Sequence, residues 1–150
     1  MRTNEIFMAI KTDFPEARQE EETGAVIIPK ESLLKITQYL KNHRLAFDNL
    51  HCITAIDRAE RVELAYTLYS ISEHHGITLK IYLTAGEENV ASLAELWKSA
   101  NWLEREVYDL FGVIFLNHPD LRRILNPYDW KGHPLRKSYS HPEVSIKPRL

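Results

Sequence analysis

Three runs of alternating apolar and polar residues, one after another, constrain this chain more than anything else in it. They are DNLHCITAID (48–57), RVELAYTLYSIS (61–72) and GITLKIYL (76–83). In the first, Leu50, Cys52, Thr54 and Ile56 fall on one side; in the second, Val62, Leu64, Tyr66 and Leu68; in the third, Ile77, Leu79, Ile81 and Leu83. A period of two is the repeat of a strand with one buried face. Short polar turns at Arg58-Ala59-Glu60 and His74-His75-Gly76 predict an antiparallel meander. On this reading Cys52 is a small buried core residue and His74-His75 is solvated.

A sheet with one apolar face needs helices to cover it. Residues 3–12 read as a first helix, stopped by Asp13-Phe14-Pro15 because proline disfavours helix in the residue before it. Two short strands follow around 17–21 and 25–28, with Thr23-Gly24 as their turn. Pro29 opens a second helix over about 30–43, with Leu33, Ile36, Leu40 and His43 on one face. A last helix is expected over about 91–111. The order α-β-β-α-β-β-β-α predicts a two-layer α+β domain over residues 1–112, with a mixed or antiparallel sheet. At 150 residues the chain is long enough for one such core.

After Gly112 the character changes. Five of the seven prolines lie in the last 32 residues, which argues against a long helix or a central strand there. The same stretch holds Leu121, Ile124, Leu125, Tyr128, Trp130, Leu135 and Tyr139, too many apolar anchors for a disordered linker. Residues 119–150 carry seven Lys/Arg against three Asp/Glu, whereas residues 1–118 carry twelve against eighteen. Residues 113–150 are therefore expected to be an extended, basic arm that docks on a partner; the alternative is that it packs back on its own domain.

The last helix poses the sharpest question. With Leu93 at zero and ~100° per residue, Ala100, Val107 and Phe111 return to one face, and Glu104 falls only about 20° from Leu93. A carboxylate on an apolar stripe costs several kcal/mol unless paired or protonated. Arg122 and Arg123 are the expected partners, with His118 a weaker one. A catalytic acid would need a second carboxylate on the same face, and none shares it. Arg105 and Asp109, four apart, project elsewhere and can pair with each other; Glu106 points to yet another side.

The segment EREVYDLFGVIFLNHPDLRRIL (104–125) resembles the signature of the thirty-kilodalton subunit of respiratory complex I, the NADH-quinone oxidoreductase. The pattern is met at Glu104, Arg105, Glu106, Asp109, Leu110, Phe111, His118, Arg122, Ile124 and Leu125, and LHCITAID is similar to the family's central strand. The resemblance implies an accessory subunit of the peripheral arm of a proton-translocating NADH-quinone oxidoreductase. It would sit on the cytoplasmic side of a bacterial inner membrane, or the equivalent organelle side. Its chief partner would be the quinone-site subunit, the forty-nine-kilodalton-like chain, which it would help to position. NADH, FMN, iron–sulfur clusters and quinone would belong to partner subunits, and no active site of its own is expected. The equivalent subunit of a membrane-bound hydrogenase or other-donor dehydrogenase, or a free-standing binding module, are the alternatives. Glu104, Arg105, Glu106, Asp109, His118, Arg122 and Arg123 become the candidates for partner contacts or structural ion pairs.

Residue chemistry leads the same way. One cysteine cannot form an internal disulfide or hold a cluster that needs four thiolates, and fits a reducing compartment. No nucleotide-phosphate loop is present, and Gly86-Glu87-Glu88 would repel a phosphate. His118, His133 and His141 lie too far apart for a typical zinc site. The arm's arginines and aromatics are sparse for nucleic-acid stacking, and the sequence pI of 6.4 argues against it. No run of about 18 apolar residues predicts a membrane span.

Overall fold

The computed structural model describes residues 3–140. Helix α1 (Thr3–Asp13) is followed by strands β1 (Arg18–Gln19) and β2 (Val26–Ile27). A 3-10 turn over Lys30–Ser32 leads into helix α2 (Leu33–Asn42). The long strands are β3 (Asn49–Asp57), β4 (Arg61–Ser70) and β5 (His75–Thr84). Then come β6 (Asn89–Ala91), helix α3 (Lys98–Phe111) and β7 (Ile114–Leu116). The main sheet has the order β1-β2-β5-β4-β3. The β3–β4–β5 meander is antiparallel, while β2 joins β5 in parallel, so the sheet is mixed.

The alternation in β4 and β5 fixes the core. Val62, Leu64, Tyr66 and Leu68 from β4, and Ile77, Leu79, Ile81 and Leu83 from β5, are all buried. They meet Ile6 and Ile10 of α1 and Leu33, Ile36 and Leu40 of α2 in one cluster. Burying one such side chain is worth roughly 1.5–3 kcal/mol. The cluster is therefore where the large favourable term lies.

Strand β3 departs from simple alternation. Its register with β4 shifts between Leu50 and Cys52, so one extra residue, His51, is inserted. Leu50 faces the core, but after the bulge Ile53 does, and Cys52, Thr54 and Ile56 turn to the other face. Cys52 is accordingly half-buried, not the core residue that unbroken alternation predicts. The turn after β4 is Ile71–His74, which starts three residues and ends two residues earlier than expected. His74 stays exposed, but His75 is the buried first residue of β5, its Nε2 2.8 Å from the Leu45 carbonyl oxygen and its ring against Phe47.

The last helix is shorter than its apolar stripe. Residues 91–97 are not helical: β6 pairs in parallel with β7, and the Ser92 N–H donates to the Leu116 carbonyl. This small second sheet has no counterpart in the sequence pattern, and it extends the folded body past Gly112. Gly112 ends α3 in the left-handed conformation (φ 78°), its N–H donating to Tyr108 O at 2.8 Å.

Candidate functional site

Helix α3 and residues 117–137 hold nearly all the charged residues that the sequence singles out. Glu104 is fully buried on the core side of α3. The Leu93 N–H and the Ser92 hydroxyl each donate to its carboxylate at 2.6 Å, one to each oxygen. The partners are thus the residues just after β6, and neither Arg122 nor Arg123 bonds it. Residue 93 does share the face of Glu104, but it reaches it as the end of a β6 loop and not from an earlier turn of the helix.

His118 stands beside this group, its Nε2 3.8 Å from Glu104 Oε2 and 3.0 Å from the Asn101 carbonyl oxygen. Its Nδ1 accepts the Asp120 N–H at 2.9 Å, so Nε2 carries the hydrogen that faces Asn101 and Glu104. Burial raises the Glu104 carboxyl to about 7, opposed by the Ser92 and Leu93 hydrogen bonds. Tyr66 lies close enough that burial and the Glu104 charge together push its phenol well above the ordinary tyrosine range.

Asp109 is the second centre. It too is fully buried. Its carboxylate accepts the backbone N–H groups of Ile124, Leu125 and Asn126 at 3.1, 2.8 and 2.8 Å. It also accepts Asn126 Nδ2 at 3.0 Å and Arg123 Nη1 at 2.7 Å. Burial works to raise this carboxyl, but the donors from Asn126, Arg123 and Ile124 outweigh it and hold it well below the usual range.

Arg105 does not pair with Asp109. It is buried, and its guanidinium donates to the carbonyls of Arg122 and Arg123, both at 3.1 Å, while stacking 5.0 Å from the Trp102 ring. Glu106 is exposed, and so is Arg122, which lies against Asp120. Six of the seven candidate residues therefore cluster around the start of the arm, and Glu106 stands apart on the far side of the helix.

The physical reason the arm folds onto α3 is the helix terminus. The last carbonyls of a helix lack intrahelical partners. Here Asp109 O accepts Arg123 Nη1 and His133 Nδ1, and Leu110 O accepts the Leu135 N–H. Gly112 is needed beneath this cap, because a Cβ there would stand 2.6 Å from the His133 ring.

A third clamp is barely marked in the sequence pattern. Asp57, buried at the end of β3, accepts the Lys137 and Ala59 N–H groups at 2.8 Å each, and Arg136 reaches Glu88 at 2.5 Å and lies 3.7 Å from Asp57. Burial works against the charged forms of Asp57 and Glu88, but these donors lower both carboxyls. Its one signal is an acid ending an alternating strand, at a point where a turn alone explains it.

Among the described residues, no group of three or more His, Cys, Asp or Glu could hold a metal ion, and no helix is long and apolar enough to cross a membrane. His141 lies outside the described residues. The buried charges of Glu104, Arg105 and Asp109 meet backbone and side-chain groups of the same chain.

This arrangement can be compared with known proteins. Residues 26–144 match the family described as respiratory-chain NADH dehydrogenase, 30 Kd subunit. A relative from Geotalea uraniireducens, a subunit of NADH-quinone oxidoreductase, is 44% identical over 117 residues, covering 76% of this chain and 71% of the relative. Its namesake from Geobacter metallireducens is 40% identical over 143 residues, covering 93% and 86%. Among solved structures, the trypsin-resistant fragment (1-134) of Nqo5 superposes with a TM-score of 0.70 at 28% identity, covering 81% of this chain and 100% of that one. A chain of the membrane-bound sulfane sulfur reductase, an archaeal respiratory membrane complex, shares the fold at a TM-score of 0.77 and 22% identity, covering 91% and 85%. With the family match spanning most of the body and the arm, this chain belongs to the thirty-kilodalton subunit family of the respiratory-chain NADH dehydrogenase.

Proposed function

We propose that the chain is an accessory subunit of the peripheral arm of a proton-translocating NADH-quinone oxidoreductase. In this reading it binds no redox group of its own. It assembles with the quinone-site, forty-nine-kilodalton-like subunit and holds it in position from the cytoplasmic side of the membrane. NADH, FMN, iron–sulfur clusters and quinone belong to the other subunits. One observation carries the reading: two buried charges of the family signature, Arg105 and Asp109, fix the arm to α3. Asp109 alone accepts five hydrogen bonds from residues 123–126. A residue set used this way makes a rigid support, and a rigid support is what a neighbouring active site requires.

The arm so fixed leaves Leu125, Tyr128 and Leu135 exposed, with Tyr128 at 93%. We take these as its contacts with the partner, next to the exposed Arg122. The test is affinity recovery of the tagged full chain from native membranes. The expected result is a complex that oxidises NADH with quinone as acceptor, while the isolated chain shows no turnover. A recovered complex driven by a different donor would move the chain to a related dehydrogenase or hydrogenase. Redox turnover by the chain alone would overturn the assignment.

A further inference from the structure

We propose that the free edge of β3, where it runs beside α3, is a docking groove for an extended strand of a partner polypeptide carrying a basic residue. The inference rests on the subunit reading above and names a surface within it.

Strand β3 is the last in the sheet order and pairs only with β4 among the described residues. The direction of its backbone groups follows from the hairpin. The Arg58 N–H donates to Arg61 O at 2.9 Å, so 58 and 61 form a hydrogen-bonded pair. Hydrogen-bonded and non-hydrogen-bonded pairs alternate along an antiparallel ladder. The pairs Ile56–Glu63, Thr54–Ala65 and Cys52–Thr67 are then hydrogen-bonded across the ladder. Ile53, Ala55 and Asp57 turn their N–H and C=O outward. No turn, cap or side chain among the described residues engages the backbone of Ile53 or Ala55.

Both ends of this edge are closed. At one, Ser99 Oγ donates to Leu50 O at 2.9 Å; at the other, the Lys137 N–H holds the Asp57 carboxylate. Between them the edge opens into a groove of 260 Å³. Leu103, Leu110, Phe111 and Leu135 give it an apolar wall, and Glu106 is the one charged side chain among the described residues that lines it. Natural edge strands are blunted with lysine, proline or inward charges. Residues 52–56, CITAI, contain none of these, and the bulge lies before them.

Paired backbone donors and acceptors at strand spacing are satisfied by another extended backbone, as in peptide recognition by strand addition. The occupant therefore adds about four or five residues in extended form. It places an apolar side chain on the Leu103–Leu110 wall and a Lys or Arg against Glu106. A second copy of this chain fits less well. An isologous contact repeats the same patch on both sides, and it would bring two Glu106 carboxylates into one groove.

The test compares backbone amide exchange of the full chain alone and in the complex recovered from native membranes. Exchange at Ile53 and Ala55 is expected to slow by about tenfold or more in the complex, as for amides newly paired in a sheet. Ala55→Pro removes an outward N–H and leaves the β3–β4 ladder intact, since proline is tolerated on edge strands. It should lower recovery in the complex several-fold. If that variant does not fold, exposed Glu106→Lys gives the same readout by reversing the groove's charge. An assembled complex in which Ile53 and Ala55 exchange as fast as in the free chain overturns the groove and leaves the subunit reading standing. Protection in the free chain that grows with protein concentration overturns it in favour of self-pairing. A chain that joins no complex removes both readings.

Discussion

Glu104 and Asp109, five residues apart on α3, are both fully buried carboxylates, yet their environments act in opposite directions. Glu104 has two donors against full burial, and its carboxyl rises to about 7. In the folded state it binds a proton that the unfolded chain, with an ordinary value of 4.5, has already lost. Stability from this group is therefore fully present below about pH 4.5 and is lost as pH rises through 7; the change is roughly 3 kcal/mol. Glu104→Gln should remove that slope. Urea unfolding of both proteins at intervals from pH 5 to 8 measures it, and parallel curves would refute the account. Arg123→Glu tests the other centre. It removes a donor from Asp109 and places a like charge beside it, which should destabilise the isolated chain by about 3–5 kcal/mol. An unchanged melting temperature would contradict the clamp. That Glu104 faces the core is legible from its helical phase. Its partners are not, because they reach it through a pairing of β6 with β7, and three-residue strands leave too little periodicity to detect.

At the level of elements, strand identity is legible wherever alternation runs for four or more residues, as in β4 and β5. A single inserted residue is not: the bulge at His51 turns Cys52, Thr54 and Ile56 away from the core, and nothing in the pattern LHCITAID marks it. Likewise an apolar stripe does not distinguish helix from a loop that lies on the same core, so Leu93 and Trp97 are buried without being helical. The joint between α3 and the arm depends on Gly112, which has both a left-handed backbone and the His133 ring where a Cβ would stand. Gly112→Ala adds backbone strain of roughly 1 kcal/mol and forces the ring off the end of the helix, breaking its bond to Asp109 O. The expected result is a loss of about 1–3 kcal/mol and faster tryptic cleavage at Lys131 and Arg136. Unchanged cleavage at those sites would show that His133 does not hold the arm.

For the whole molecule, the charge asymmetry is legible as an acidic body with a basic end. Charge alone does not say whether the complementary acids lie on a partner or on the same chain. In the structure many of them are its own: Asp57, Glu88 and Asp109 hold residues 123–137. All three carboxyls are lowered, so their contribution is present above their unfolded values, 3.8 for the aspartates and 4.5 for Glu88, and is lost as pH falls below them. Glu104 acts in the opposite sense over a higher window, with His118 and Tyr66 as its titratable neighbours. Mild acid should therefore tighten the junction around Glu104, and stronger acid should release the arm. As pH drops below about 4, the Leu135 amide, bonded to Leu110 O, should lose protection before the Leu79 and Ile81 amides of the central sheet. Pulse-labelling hydrogen exchange from mildly to strongly acidic pH resolves the two. Loss of protection at all three amides in a single transition would mean that arm and body are one cooperative unit, and that the carboxylate clamps stabilise the whole fold and not the arm alone.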